Sequence, residues 1–191
     1  MNNTHQLSIG YSPSVGTPMM PTVGTPKQPS ISSTTFDPEV EDVVDQDMRL
    51  TEHFTLREFI RSATAIRLDI DNRPSADEVA RMKKLCENVL EPLRRRFGAI
   101  RITSGYRCKR LNDEVGGSRT SQHMFGEAAD IHCGSDATGK KMYDYIRQNL
   151  EFDQMLVEMR GGKNPHIHCL HVSFKSDRGT NRKKCTSNYI I

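Results

Sequence analysis

Ser121-Gln122-His123-Met124-Phe125-Gly126-Glu127-Ala128-Ala129-Asp130-Ile131 is the stretch from which the rest of the chain can be read. Gly126 lets the backbone bend, and the two alanines after it allow close packing beside a site. A run over residues 128–131 alternates as a strand, with Asp130 and His132 on one face and Ala129 and Ile131 on the other. A histidine before the bend and an aspartate after it can therefore converge. Further on, Cys169-Leu170-His171-Val172-Ser173-Phe174 reads as a last strand with His171 and Ser173 on one face. His123, Asp130 and His171 together make two imidazoles and one carboxylate. That set suits Zn2+ and leaves a fourth position open, the arrangement of catalytic rather than structural sites.

Working outward, the residues before this stretch read mainly as helix. Thr55-Leu56-Arg57-Glu58 and Ser75-Ala76-Asp77-Glu78 are capping-box patterns. Behind the second, Val79, Met82, Leu85, Val89, Leu93 and Phe97 recur every three or four residues, the signature of a helix with one apolar face. Pro92 falls inside that pattern and should kink or divide it, and Gly98 marks its end. Ile100 to Thr103 alternates as a short strand. Residues 112–117 read as a helix end and turn, 140–150 as helix, and 152–159 as a buried strand. Residues 161–165, Gly-Gly-Lys-Asn-Pro, form a turn. Helices first and a small antiparallel sheet later make an α+β fold. The basic run over 175–184 is expected to be a solvated tail.

The bulk properties narrow the function. The 191 residues give room for one domain and a tail, and a hydrophobic share of 35% is low for a chain that packs throughout. Ser, Thr, Pro and Gly dominate residues 1–48, where Val-Gly-Thr-Pro occurs twice. That composition reads as a disordered leader, or as a docking or packaging arm for a virion partner. The folded domain is then residues 49–191. A net charge of +3 gives no footprint for nucleic acid. No run is apolar enough to span a membrane, and the N-terminus lacks the features of a secretory signal. Five cysteines, an odd number without a C-x-x-C, favour a reducing compartment over a disulfide framework.

Ser104-Gly105-Tyr106-Arg107, Leu111-Asn112, Val115-Gly116-Gly117, the stretch quoted first and Leu170-His171-Val172-Ser173-Phe174 occur in that order. Together they closely resemble the zinc D-Ala-D-Ala carboxypeptidases and related phage endolysins. That family shares a fold with lysostaphin-type peptidases and the hedgehog signalling domain. Its signature is S-G-Y-R, then S-x-H-x-x-G-x-A-x-D, then a strand ending H-V-S. The resemblance covers about residues 51–184 and implies that His123, Asp130 and His171 bind zinc. It further implies that Arg107 lies near the substrate carbonyl or carboxylate and that Ser121 binds substrate or backbone. The activity implied is hydrolysis of peptide bonds in peptidoglycan stem peptides, by a D-Ala-D-Ala carboxypeptidase or an endolysin-type endopeptidase. A phage or prophage protein reaching the cell wall at lysis or entry fits that activity. The alternative is a non-catalytic zinc-containing module, binding wall or built into a virion.

The resemblance departs from the family at one place. Many relatives carry Glu three residues before the last zinc histidine, or His two residues before it. Here those positions hold His168 and Cys169. A second alignment makes His166-Ile167-His168 the H-x-H and His168 the ligand. His171 is preferred because Val172-Ser173-Phe174 continues the pattern. The general base is correspondingly open between Glu158, reaching the site across the Gly-Gly turn, and His168.

Overall fold

The computed structural model describes residues 45–161 and 163–187. Six helices come in the order α1 (Leu56–Ile60), α2 (Ala63–Arg67), α3 (Ala76–Leu85), α4 (Glu91–Phe97), α5 (Lys109–Glu114) and α6 (Asp136–Asn149). Five strands, β1 (Arg101–Ser104), β2 (Ala128–His132), β3 (Gln154–Arg160), β4 (His166–Ser173) and β5 (Lys184–Ser187), form one sheet in the order β1-β2-β4-β3-β5. This is the α+β architecture read from the sequence. No described helix is long and apolar enough to cross a membrane.

Local chemistry sets the helix limits. Both capping boxes form: Glu58 reaches back to the Thr55 backbone N–H, and Glu78 to that of Ser75. Pro92 has no N–H to give and its ring presses on the preceding turn. The chain answers by widening just before it, so that Cys86–Leu90 is a π-helical segment and Glu91 N–H donates to the carbonyl of Cys86. The long apolar helix is thereby divided into α3 and α4 rather than simply bent.

The sheet has two unlike faces. Ala129, Ile131, Met155, Leu170 and Val172 are fully buried against Met82, Leu85, Val89, Leu90 and Leu93 of the helical layer. The alternate residues Asp130, Leu156, Glu158, Cys169 and His171 face the other way and line a cleft. β1, β2, β4 and β3 are antiparallel in that order, with Asp130 paired to His171 and Leu156 paired to His171 from the other side. One feature departs from an all-antiparallel sheet: β5 pairs parallel to β3, Gln154 opposite Lys184 through Val157 opposite Ser187.

The basic segment expected as a solvated tail is instead a strap ending in β5. Asp153, whose side chain is fully buried, takes a bidentate pair from Arg182 at 2.6 and 2.7 Å and a longer contact from Lys175 at 3.4 Å. Arg178 lies 3.4 Å over the Phe125 ring and reaches the buried Glu127 carboxylate at 3.3 Å. Arg81 grips Asp177 through both oxygens. Two cations are drawn in because a buried carboxylate left alone is costly. The leader reading over residues 1–48 falls largely on residues 1–44, outside the described residues. Of its last four, Gln46 and Met48 accept backbone hydrogen bonds from Arg57 and Leu56 and belong to the packed unit.

Two stability tests follow. Burial alone would raise the Asp153 pKa, but its bonds to Arg182 and the charges of Lys175 and Arg182 hold it below the usual carboxylate range. A lowered native pKa stabilises the fold above the unfolded value of about 3.9 and ceases to do so as pH falls through the native value. Asp153→Asn should therefore lower the melting temperature at pH 7, with the gap to wild type closing towards pH 3. A gap that does not narrow would detach the strap's ion pairs from stability. Gly126 closes the turn before β2 with φ of 71°, where an added Cβ would meet the Glu78 carbonyl oxygen at 2.4 Å. Gly126→Ala should cost about 1–3 kcal/mol from backbone strain alone in chemical denaturation, and an unchanged midpoint would contradict this.

Candidate functional site

Within Ser104-Gly105-Tyr106-Arg107, the residues Ser104, Gly105 and Arg107 act on the cluster next to them. Gly105 follows β1 where α1 crosses so closely that a Cβ would lie 2.6 Å from the Phe59 Cα. Its carbonyl accepts from His123 Nδ1 at 2.6 Å. Because a carbonyl only accepts, Nδ1 carries the ring proton and Nε2 presents its lone pair to the cleft. Arg107 donates its backbone N–H to the His123 carbonyl at 3.2 Å. Its Nε donates to Ser104 Oγ at 2.9 Å and its Nη2 to Asp130 Oδ2 at 3.0 Å.

His123 sits in the 3-10 turn Gln122–Phe125, Asp130 on β2 and His171 on β4. Their donor atoms converge: His123 Nε2 is 3.3 Å from Asp130 Oδ1 and 3.2 Å from His171 Nδ1, which is 2.8 Å from the same Oδ1. Ligands about 2.05 Å from a tetrahedral centre stand roughly 3.3 Å from one another, so this spacing fits one small cation. Protonation fits as well. Burial pushes the His123 pKa down, helped by the charges of Arg107 and His171, against the pull of Asp130. For Asp130 burial acts upward, but the close approach of His123 and His171 overcomes it and holds the carboxyl far below its usual range. A neutral imidazole and an ionised carboxylate are the forms that ligate.

The remaining residues singled out from sequence line the same cleft, whose volume is about 770 Å3, within the range of ligand sites. Ser121 precedes the 3-10 turn and its hydroxyl makes no capping bond there. Glu158, exposed on β3, sits opposite Cys169, which donates Sγ–H to Glu158 Oε2 at 3.3 Å. His168 lies where the β3–β4 register shifts, between Cys169 opposite Glu158 and Ile167 opposite Met159. It lines the cleft, but the third member of the converging group is His171. Sequence reasoning passed over the Gly105 carbonyl, because a backbone acceptor leaves no residue-type signal. It also missed the Cys169–Glu158 contact, which depends on cross-strand register.

Among the described residues, one other group of potential ligands gathers, Glu52, His53 and Glu91. Glu91 is buried and takes both the backbone N–H and the Nδ1 of His53 at 2.9 Å. The contact ties the segment before α1 to the start of α4, which is a structural role.

Comparison with known proteins places the chain in a family. Over 81 residues the chain is 33% identical to the zinc D-Ala-D-Ala carboxypeptidase of Streptomyces albus G. The aligned part is 41% of this chain and 31% of that relative, so the chain spans about a third of the relative's length. Residues 52–170 match the family described as peptidase M15. That match takes in the capped helices, the S-G-Y-R turn, His123, Asp130 and most of β4, and it stops one residue short of His171. The chain belongs to the peptidase M15 family.

Proposed function

We propose that this protein is a zinc metallopeptidase that hydrolyses an amide bond in peptidoglycan stem peptides. The observation that carries the reading is the convergence of His123, Asp130 and His171 on one point in the wall of an open cleft, with donors 2.8–3.3 Å apart. The name of the Streptomyces relative supports both the metal and the substrate class. The same reading makes the protein act on the cell wall, as a lysis or entry enzyme does.

His123, Asp130 and His171 would hold the metal. When bound, zinc supplies Lewis-acid polarisation of the scissile carbonyl and acidifies water. The chain's own groups do the rest. Gly105 fixes the His123 tautomer, and Arg107 neutralises the outer oxygen of Asp130. Nε and Nη2 of Arg107 are committed to Ser104 and Asp130, leaving other donors of the same planar fork for a substrate oxygen in the cleft. Ser121 lines the cleft and offers a hydroxyl that makes no capping bond. Glu158 is the general base of this proposal: the Cys169 thiol steadies Oε2, and Oε1 is left to take the proton from the attacking water and pass it to the leaving amine. The cleft wall runs from residues 61–64 across to β3, giving room for peptide on both sides of the cluster. That favours cutting within a peptide over trimming its last residue.

Three measurements test this. The purified protein should carry one zinc per chain by elemental analysis. His123→Ala, Asp130→Ala and His171→Ala should each lower that value, whereas His168→Ala should not; the reverse pattern for the last two would make His168 the ligand. Glu158→Gln should keep its zinc and lose about 100- to 10,000-fold in turnover of purified cell wall. Near-normal turnover would pass the base to His168. New free amines without new reducing sugar ends should mark the products, and a zinc-loaded, folded protein that yields neither would be a binding module.

A further inference from the structure

The cleft carries three cationic guanidiniums, and only one of them is engaged. Arg107 is tied to Asp130 and Ser104. Arg61 and Arg160 also line the cleft, both are exposed, and neither has a carboxylate within ion-pairing distance among the described residues. Arg160 shares a strand face with Glu158 yet does not pair with it. Strand order sets where the two free guanidiniums stand. Arg61 follows α1, which packs on β1 through Phe59 against Gly105, so it stands on the β1 side. Arg160 ends β3. Between β1 and β3 lie β2 and β4, which carry Asp130 and His171.

Three strand intervals amount to about 14 Å. An extended peptide covers that distance in about four residues. A peptide crossing the sheet would place its scissile amide at the cluster and its flanking residues under the two free guanidiniums. Apart from the His–Asp cluster, His168 and the Glu158 carboxylate, the rest of the lining is largely neutral: Ser62, Thr64, Ser118, Thr120 and Gln154 bring hydroxyl and amide groups. Such groups bind a peptide backbone without choosing its charge, so charge selection falls to Arg61 and Arg160. Guanidinium pairs well with carboxylate, in a planar two-bond geometry that ammonium does not reproduce.

We propose that Arg61 and Arg160 are specificity-determining residues that each read a substrate carboxylate, one on either side of the scissile amide, so that the preferred substrate is a stem peptide with free rather than amidated side carboxylates. This rests on the peptidase reading above, and the test separates the two. The zinc-loaded protein is titrated calorimetrically with a stem peptide bearing free carboxylates and with the same peptide converted to carboxamides, and turnover of both is followed by mass spectrometry. Each charge-assisted contact contributes about 1.5–3 kcal/mol, or roughly a factor of 10 to 100. The free-carboxylate peptide should bind at least about 10-fold more tightly. Arg61→Gln and Arg160→Gln should each weaken it by a similar factor, mainly in KM, while leaving zinc content and binding of the amidated peptide unchanged. Equal affinity of wild type for the two peptides, or equal losses on both in the variants, overturns the proposal. Carboxylate-dependent binding without turnover of either peptide would keep it and overturn the peptidase reading instead.

Discussion

Asp130 is the junction on which the site depends. One oxygen meets both histidines and the other meets Arg107, so four segments of the chain end at a single carboxylate. A carboxylate this deeply placed is tolerable only with compensation of this kind. Two of these partners are in turn held from behind: His123 by the Gly105 carbonyl, Arg107 by Ser104 and by its own N–H on His123. The pattern is a closed set of contacts in which losing one partner leaves a buried charge exposed to no solvent and no ligand.

The sheet turns that set into a site by keeping its faces apart. One face is aliphatic and sealed by α3 and α4, and the other is polar and open. Strand alternation does this without extra apparatus, since Ala129 and Ile131 must point to the core for Asp130 to point away. Packing on the sealed face therefore fixes geometry on the open one. The register of β4 against both β2 and β3 then decides which side chains stand beside His171, namely Asp130 on one side and Leu156 on the other.

How much of this was legible depended on the range of the interaction. The capping boxes at Thr55 and Ser75, the break at Pro92 and the alternation around Asp130 are local, and the sequence displays them directly. The spacing of His123 and Asp130 about a flexible bend pointed to the cluster, and Leu170-His171-Val172-Ser173 supplied its third member. Pairings made at a distance were not readable. Asp153 with Arg182, Glu127 with Arg178 and Arg81 with Asp177 join residues 29, 51 and 96 positions apart, and nothing in the basic run itself says which acids it will meet. The five-residue α2 carries too short a pattern to announce itself. The parallel edge strand β5 is equally silent, being defined by its neighbour rather than by its own residues.

The strap also bears on when the molecule becomes competent. Residues 174–183 leave the ribosome after every segment that contributes to the His–Asp cluster. Until they emerge, Asp153 and Glu127 lack the cations that pair with them directly, and each is a carboxylate that the finished fold buries. The nascent chain thus has reason to keep β3 and the turn before β2 loose while the polypeptide is still being made, since closing them early would strand two charges away from water. The strap is thus the last piece that the two buried acids need, and its arrival completes the ion pairs that let β3 and the turn before β2 close.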